Sequence, residues 1–223
     1  YMYLVTLRIS SSCGLAAAAE ESRGSVYSLQ AIPVNDEVNS ILSFMRISGK
    51  RDIQEVYRGL RKDFIKISLL NPRSGNLLFI SGLKRGHGVL RPLASNGILP
   101  LIPLIASPGI EFFSLLTNNL ESVEKFTREV SVTNRIEYVD YEKIDGDGVA
   151  QLLERNMREL YIHDLEKEEK RALSMAYELG YYSWPKGIKM DQLANELGYS
   201  KPTISYYLRK AERKIIGKLL FGN

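Results

Sequence analysis

The sequence predicts an α+β protein: two consecutive β-α-β-β-α-β segments, a linker helix and an all-helical C-terminal domain. Three observations carry this. Short stretches with apolar residues at every second position recur as far as Tyr141, set apart by Gly, Pro, Asn or Asp. Amphipathic stretches with helical spacing interleave with them, in the same order twice. After Asp145 the alternation stops and the apolar residues keep helical spacing throughout.

In the first segment, Tyr3–Ile9 alternates as a strand and the Ala-rich stretch 13–22 favours a short helix. Residues 25–32 return to strand composition, and Pro33, Asn35 and Asp36 supply a turn. Residues 38–47 fit a strand or a helix; a strand is favoured, because a clearer helix follows at 52–62. There Ile53, Val56, Tyr57 and Leu60 form one face, and Asp52 is placed to cap it. Residues 64–70 alternate again, and the Asn-Pro-Arg-Ser-Gly stretch 71–75 is a break.

The second segment repeats the order. Residues 77–81 read as a strand and 87–95 as a poor, proline-interrupted helix. Residues 98–106 and 110–116 are apolar runs joined by Ser-Pro-Gly, as in a hairpin. Residues 119–131 form an amphipathic helix with Leu120, Val123, Phe126 and Val130 on one side. In 135–141, Ile136, Tyr138 and Val139 or Tyr141 compete for the core. This order is that of the ferredoxin-like fold, so 1–72 and 76–144 are expected as tandem ferredoxin-like (ACT-like) units.

The totals narrow the class. The chain has 223 residues, 44% hydrophobic, with a net charge of +4, so it can bury cores and tolerate an anionic partner. Cys13 is the single cysteine, and the two histidines, His87 and His163, lie far apart. An internal disulfide and a Cys/His metal site of ordinary spacing are therefore excluded, and no cofactor is expected. The most apolar run, 97–106, holds two prolines. It is far short of the roughly 20 residues of a spanning helix, so a cytoplasmic protein with no membrane partner is expected.

Asp145-Gly-Asp-Gly148 reads as a break, followed by a linker helix within 145–163. Val149, Leu153, Asn156 and Leu160 fall at alternating four- and three-residue steps, with Leu152 and Met157 beside them. That spacing suits a coiled-coil seam with an interior polar residue, and hence a homodimer. Packing of the helix on its own domain stays open.

The C-terminal domain, 164–223, reads as three helices. The first spans 166–180, with acidic residues at its start, where the helix dipole favours them, and Gly180 at its end. The second is 191–197, ended by Gly198. The third runs from 201 to about 216, with Ser200 as N-cap, Pro202 in the first turn, and Ile204, Leu208, Ala211 and Ile215 as its core stripe. A short helix, a Gly-containing turn and a polar-fronted helix make a helix-turn-helix. The candidate DNA-reading residues are Ser200, Lys201, Pro202, Thr203, Ser205, Tyr206, Arg209, Lys210 and Arg213, off the core stripe on the third helix. Lys201, Arg209, Lys210, Arg213, Lys214 and Lys218 give six positive charges against one acid, Glu212, so this stretch carries +5 and should release counterions from DNA. Of the clustered aromatic residues, Tyr177, Tyr181, Tyr182, Trp184, Tyr199 and Tyr207 read mostly as packing, and Tyr206 as facing DNA.

Residues 165–216 resemble the helix-turn-helix domain of the archaeal bacterio-opsin activator family. The matching pieces are 165–173 (LEKEEKRAL), 176–182 (AYELGYY), Trp184-Pro185, Leu193-Ala194, Leu197-Gly198, 200–203 (SKPT) and 208–212 (LRKAE). The Tyr-x-x-Trp-Pro connector is the most distinctive. Tyr207 stands where the family often has His or another polar residue. The resemblance implies an archaeal transcription regulator whose C-terminal reader follows a variable sensory or ferredoxin-like region.

Other constellations carry less. Gly82–Gly88 lacks phosphate-loop spacing and reads as a mobile loop. His87 has no nucleophile near it in sequence, Cys13 reads as a packed thiol, and His163 as a solvated linker residue. Asp145 and Asp147 lack the spacing of a calcium loop. The expected function is sequence-specific binding of double-stranded DNA by a dimeric transcription regulator that answers to a small-molecule effector. The alternatives are a scaffold that recruits transcription machinery or, with least support, an enzyme fused to a DNA reader.

Overall fold

The computed structural model describes residues 2–70, 76–162 and 165–221, without the side chains of residues 50 and 159–161. It divides into two compact units, Tyr1–Met157 and Arg158–Asn223. The first unit runs β1 (Met2–Ser10), α1 (Gly14–Ser22), β2 (Val26–Pro33), β3 (Val38–Arg46), α2 (Lys50–Leu60) and β4 (Phe64–Leu70). It continues with β5 (Leu77–Arg85), α3 (Leu90–Ser95), β6 (Leu99–Ser107), β7 (Ile110–Thr117), α4 (Leu120–Ser131) and β8 (Ile136–Ile144). Helix α5 (Gly146–Ile162) follows and crosses the division between the units.

The element order repeats as the patterning predicts, but the pairing does not stay within each segment. One antiparallel sheet of eight strands forms, in the order β4-β5-β3-β2-β6-β7-β1-β8. Segments 1–72 and 76–144 therefore do not close as separate sheets. Strand β5 sits between β4 and β3, and β1 sits between β7 and β8. The cause is local. β5 follows β4 directly and folds back on it from Leu70–Phe79 to Phe64–Lys84. Closing that short connection costs less entropy than bringing back β1 from more than fifty residues upstream. With β5 in place, β1 fills the equivalent position in the other half.

Two cores result on the helix-bearing side. In one, the alanines of α1 pack with Val56 and Leu60 of α2 over Ile41, Met45, Leu78 and Ile80. In the other, Val123, Phe126 and Val130 of α4 and Leu93 of α3 cover Val5, Leu7, Ile9, Phe113 and Leu115. Each core thus uses the strand that the other segment supplies. At their junction β2 and β6 pair over only three positions, from Val26–Ala106 to Ser28–Leu104.

Four local expectations are corrected. Gly82–Arg85 continues β5 and is not a loop. At Gly82 a Cβ would stand 1.9 Å from the Lys66 carbonyl oxygen, so only glycine lets β4 approach there, beside a register shift. Helix α2 starts at Lys50, and Asp52 inside its first turn accepts the Ser48 amide. Asp145–Gly148 is not a break: Asp145 accepts the Gly148 amide at 2.9 Å and opens α5. Finally, β8 is an edge strand, so Tyr138, Val139 and Tyr141 stay exposed, and of the expected core set only Ile136 packs inward.

A buried carboxylate joins three of these pieces. Asp63, between α2 and β4, accepts the Gly14 amide at 2.9 Å and pairs with His87 Nε2 at 2.6 Å and Lys84 Nζ at 3.5 Å. Burial pushes its carboxyl up, but the hydrogen bond from His87, the Lys84 charge and the Gly14 amide outweigh it. The carboxyl is held below its ordinary value. Replacing Asp63 by Asn strands the Lys84 ammonium, which is 5% exposed. Asp63→Asn should therefore cost about 3 kcal/mol in urea unfolding of the N-terminal unit. In the parent chain the same stabilisation is complete at neutral pH and fades as the pH falls below about 3.9, the ordinary aspartate value. An unchanged unfolding midpoint for Asp63→Asn at neutral pH would remove the carboxylate from this role.

Candidate nucleic-acid interface

The second unit packs three helices, α6 (Lys167–Glu178), α7 (Met190–Leu197) and α8 (Lys201–Phe221), around Ala172, Ala176, Leu193, Ala194, Leu197, Ile204 and Leu208. Each follows from its sequence. Glu169 accepts the Glu166 amide at 2.9 Å and Gln192 accepts the Lys189 amide at 3.0 Å, so both helices start on a side-chain cap three residues in. Gly198 ends α7 at φ +75°, and the Tyr199 amide closes the turn on the Ala194 carbonyl at 3.0 Å. Ser200 then caps α8, accepting the Thr203 amide at 3.3 Å. Helix α8 runs to Phe221, five residues past the expected end.

With Ile204, Leu208 and Ala211 buried and Tyr207 packed on the core, the opposite side of α8 is turned outward. Pro202, Tyr206, Arg209 and Arg213 recur at four-, three- and four-residue steps, which puts them on one stripe. All four are exposed. Lys201, Pro202, Ser205 and Arg209 also share one groove with Tyr181 and Met190. Ser200 and Thr203 sit at the helix start, their hydroxyls 2.7 Å apart. Among the described residues Arg209 and Arg213 have no ion pair. Lys201 pairs with Asp191 at 2.9 Å, at the exposed surface, where such a pair is easily exchanged for a phosphate.

Lys210 is turned elsewhere. It pairs with Glu166 at 2.8 Å and with Glu169 at 2.9 Å, and Lys214 pairs with Glu169 at 2.7 Å. The hydrogen bonds that Lys210 donates to both carboxylates push its ammonium up, so it stays charged. Glu169 is fully buried; burial pushes its carboxyl up, but Lys214, the Glu166 amide and Lys210 together hold it below its ordinary value. Two of the six charges counted on this helix are thus spent holding it to α6. Tyr199 donates to Glu168 at 2.7 Å, and Tyr182 donates to Glu212. The Glu166-x-x-Glu169 spacing at the start of α6 is the sequence signal for this clamp.

The aromatic cluster divides. Tyr181, Tyr199 and Tyr207 pack on the core. Tyr206 is 59% exposed, as expected of a DNA-facing residue, whereas Trp184 is 96% and Tyr177 77% exposed, not packed. On the expected dimer seam, Val149 and Leu152 instead pack against Leu4 and Leu116 of their own sheet. Leu153 is exposed and Asn156 half-buried; the side chain of Leu160, and His163, lie outside the described residues. Cys13 is buried and caps α1, and burial and the nearby Glu111 push its thiol up to about 11. Among the described residues no three His, Cys, Asp or Glu side chains are grouped to hold a metal, and no helix is long and apolar enough to cross a membrane.

Glu169→Ala removes a helix cap and both lysine pairs. It should destabilise the C-terminal unit by about 2 kcal/mol in thermal or urea unfolding. An effect no larger than that of an exposed control such as Glu178→Ala would show that the clamp is idle.

Residues 165–217 match the family model described as a helix-turn-helix DNA binding domain. A Haloferax volcanii protein provisionally named a transcriptional regulator is 38% identical over 52 residues, 23% of this chain and 9% of the relative. The bacterioopsin transcriptional activator of Halobacterium salinarum is 30% identical over 95 residues, 42% of this chain and 14% of the relative. The matches thus span less than a sixth of either relative. No solved structure gives a significant match. The C-terminal unit is a helix-turn-helix DNA-binding domain of the bacterio-opsin activator type.

Proposed function

We propose that the chain is a transcription regulator that reads double-stranded DNA with the front of α8, acts as a homodimer and senses a small molecule through its N-terminal unit. The observation that carries the reading is the stripe of Pro202, Tyr206, Arg209 and Arg213, exposed on a helix fixed from behind by Glu169. A helix of this kind laid in the major groove offers its first turns to base edges and its later cations to phosphates. Ser200, Lys201, Thr203 and Ser205 complete the reading face, and Lys210 holds the helix in place. The names of the two archaeal relatives support transcription as the process served.

The N-terminal unit is read as two ferredoxin-like halves that exchange their first strands, β1 and β5. Support for a dimer is the exposed Leu153 on α5, and the pairing of half-sites that symmetric readers use. A second reading, recruitment of transcription machinery, is favoured by the exposed apolar side chains Ile102 and Phe112 on β6 and β7.

Arg209→Ala and Lys201→Ala should each weaken binding to a site selected from random DNA by about 1–3 kcal/mol, measured by fluorescence anisotropy. Arg213→Ala should weaken all sequences alike and flatten the salt dependence. If Arg209→Ala and Lys201→Ala both bind as the parent does, α8 is not the reading helix. Replacing Leu153 and Leu160 together by Glu should give the mass of a monomer in sedimentation; a mass equal to the parent's rejects this seam.

A further inference from the structure

The two cores of the N-terminal unit leave a cleft where they meet. It lies where β2 and β6 stop pairing, and its enclosed part measures about 40 Å³ before it opens to solvent. That is room for more than one water. Ile41, Leu104 and Phe113 give it apolar walls; its polar lining is Ser28, Asn39, Lys84, His87 and Glu111, of which the last three can carry charge. This composition is that of small-molecule sites, which favour the seams between structural halves.

The charges in this cleft are poorly satisfied. Lys84 is 5% exposed, and among the described residues its one ion pair, with Asp63, is 3.5 Å long. A charge-assisted bond of this kind closes to about 2.7–2.9 Å when it can. The second oxygen of Asp63 is buried and has no partner among the described residues. Glu111 has no ion pair among them, and its side-chain donor is the Cys13 thiol, at 3.3 Å. A thiol is a weak donor, and a half-buried carboxylate gains from a stronger one. The cleft therefore presents an ammonium with spare donors and a carboxylate short of a donor. A purely anionic ligand would meet Glu111, and a purely cationic one would meet Lys84.

We infer that this cleft binds a small carboxylic acid carrying a hydroxyl or ammonium group close to the carboxylate. Lys84 and His87 take the ligand carboxylate, Glu111 takes its donor, and Ile41, Leu104 and Phe113 take a short apolar body. The inference deepens the sensor reading and rests on it. Because Lys84 and His87 also hold Asp63, and Asp63 holds the start of α1, occupancy would redistribute bonds at the junction of the two halves.

The test uses the full chain and four sets of probes at millimolar concentration. These are short 2-hydroxy acids, short 2-amino acids, simple monocarboxylates of matching length, and the corresponding primary amines. Binding is read by calorimetry and by the thermal midpoint. At least one hydroxy or amino acid should bind saturably. Lys84→Met should weaken it by about tenfold or more, and His87→Gln, at the cleft mouth, by a smaller factor. The two-donor sets tell whether hydroxyl or ammonium is preferred. The inference is overturned if no member of those two sets binds, if simple carboxylates or amines bind as well, or if His87→Gln and a folded Lys84→Met both keep parent affinity. DNA affinity, measured on the same preparations without ligand, separates failure of this site from failure of the DNA-reading assignment.

Discussion

The fold-back of β5 onto β4 fixes the plan of the N-terminal unit. Once Leu70 pairs with Phe79 and the ladder runs on to Lys84, β5 occupies a central position in one half of the sheet. Strand β1 then has one place left in which both its edges are paired, between β7 and β8. From this follow a single sheet in place of two, two cores that each borrow a strand, and a cleft at their junction. Gly82 is the local condition for it, since any side chain there would meet the β4 backbone.

The same exchange explains why charged residues are found deep in the unit. Lys84 belongs to the borrowed strand and meets Asp63 of the first segment, which also accepts the amide of Gly14. Buried charge is costly unless paired and hydrogen-bonded. Asp63 answers that cost with three donors, one at the start of α1 and two at or just past the end of β5. In the C-terminal unit, Glu169 solves the same problem with two lysines of α8 and a backbone amide of its own helix. Both units thus place one buried carboxylate where separate elements must hold a fixed distance, and both carboxylates are kept ionised by the groups they join.

The clamp on α8 bears on how the domain engages DNA. A recognition helix needs side chains free to reach bases and a rear face that does not shift as they do so. Lys210 and Lys214 serve the rear, leaving Arg209 and Arg213 unpaired, among the described residues, at the front. Charge counted along the sequence overstates the charge offered to phosphates, because counting takes no account of which cations are already neutralised inside the unit. The outward aromatic residues make a related point. Trp184 and Tyr177 look like core residues by composition, but Trp184 stands exposed in the connector between α6 and α7, and Tyr177 stands on the outer face of α6.

Local information sufficed for the order of elements. Alternation named the strand 64–70, the clearer helix that follows favoured a strand at 38–47, Ser200 marked a helix start, and Gly198 marked the turn of the helix-turn-helix, because each acts within a short stretch of chain. The resemblance carried by 165–216 is likewise local, so the DNA-binding domain is legible in the sequence alone. What the tertiary structure decided was partnership. Nothing in the alternation of Leu77–Ser81 says which strand lies beside it, and nothing in the Lys84 region separates a loop from a strand lining a cleft. Val149 and Leu152 fit a dimer seam as well as they fit the sheet they pack on. The sequence determined the order of helices and strands and the helix-turn-helix domain; long-range pairing, through loop entropy and the matching of buried charge, decided how the strands share two cores and where a cleft remains.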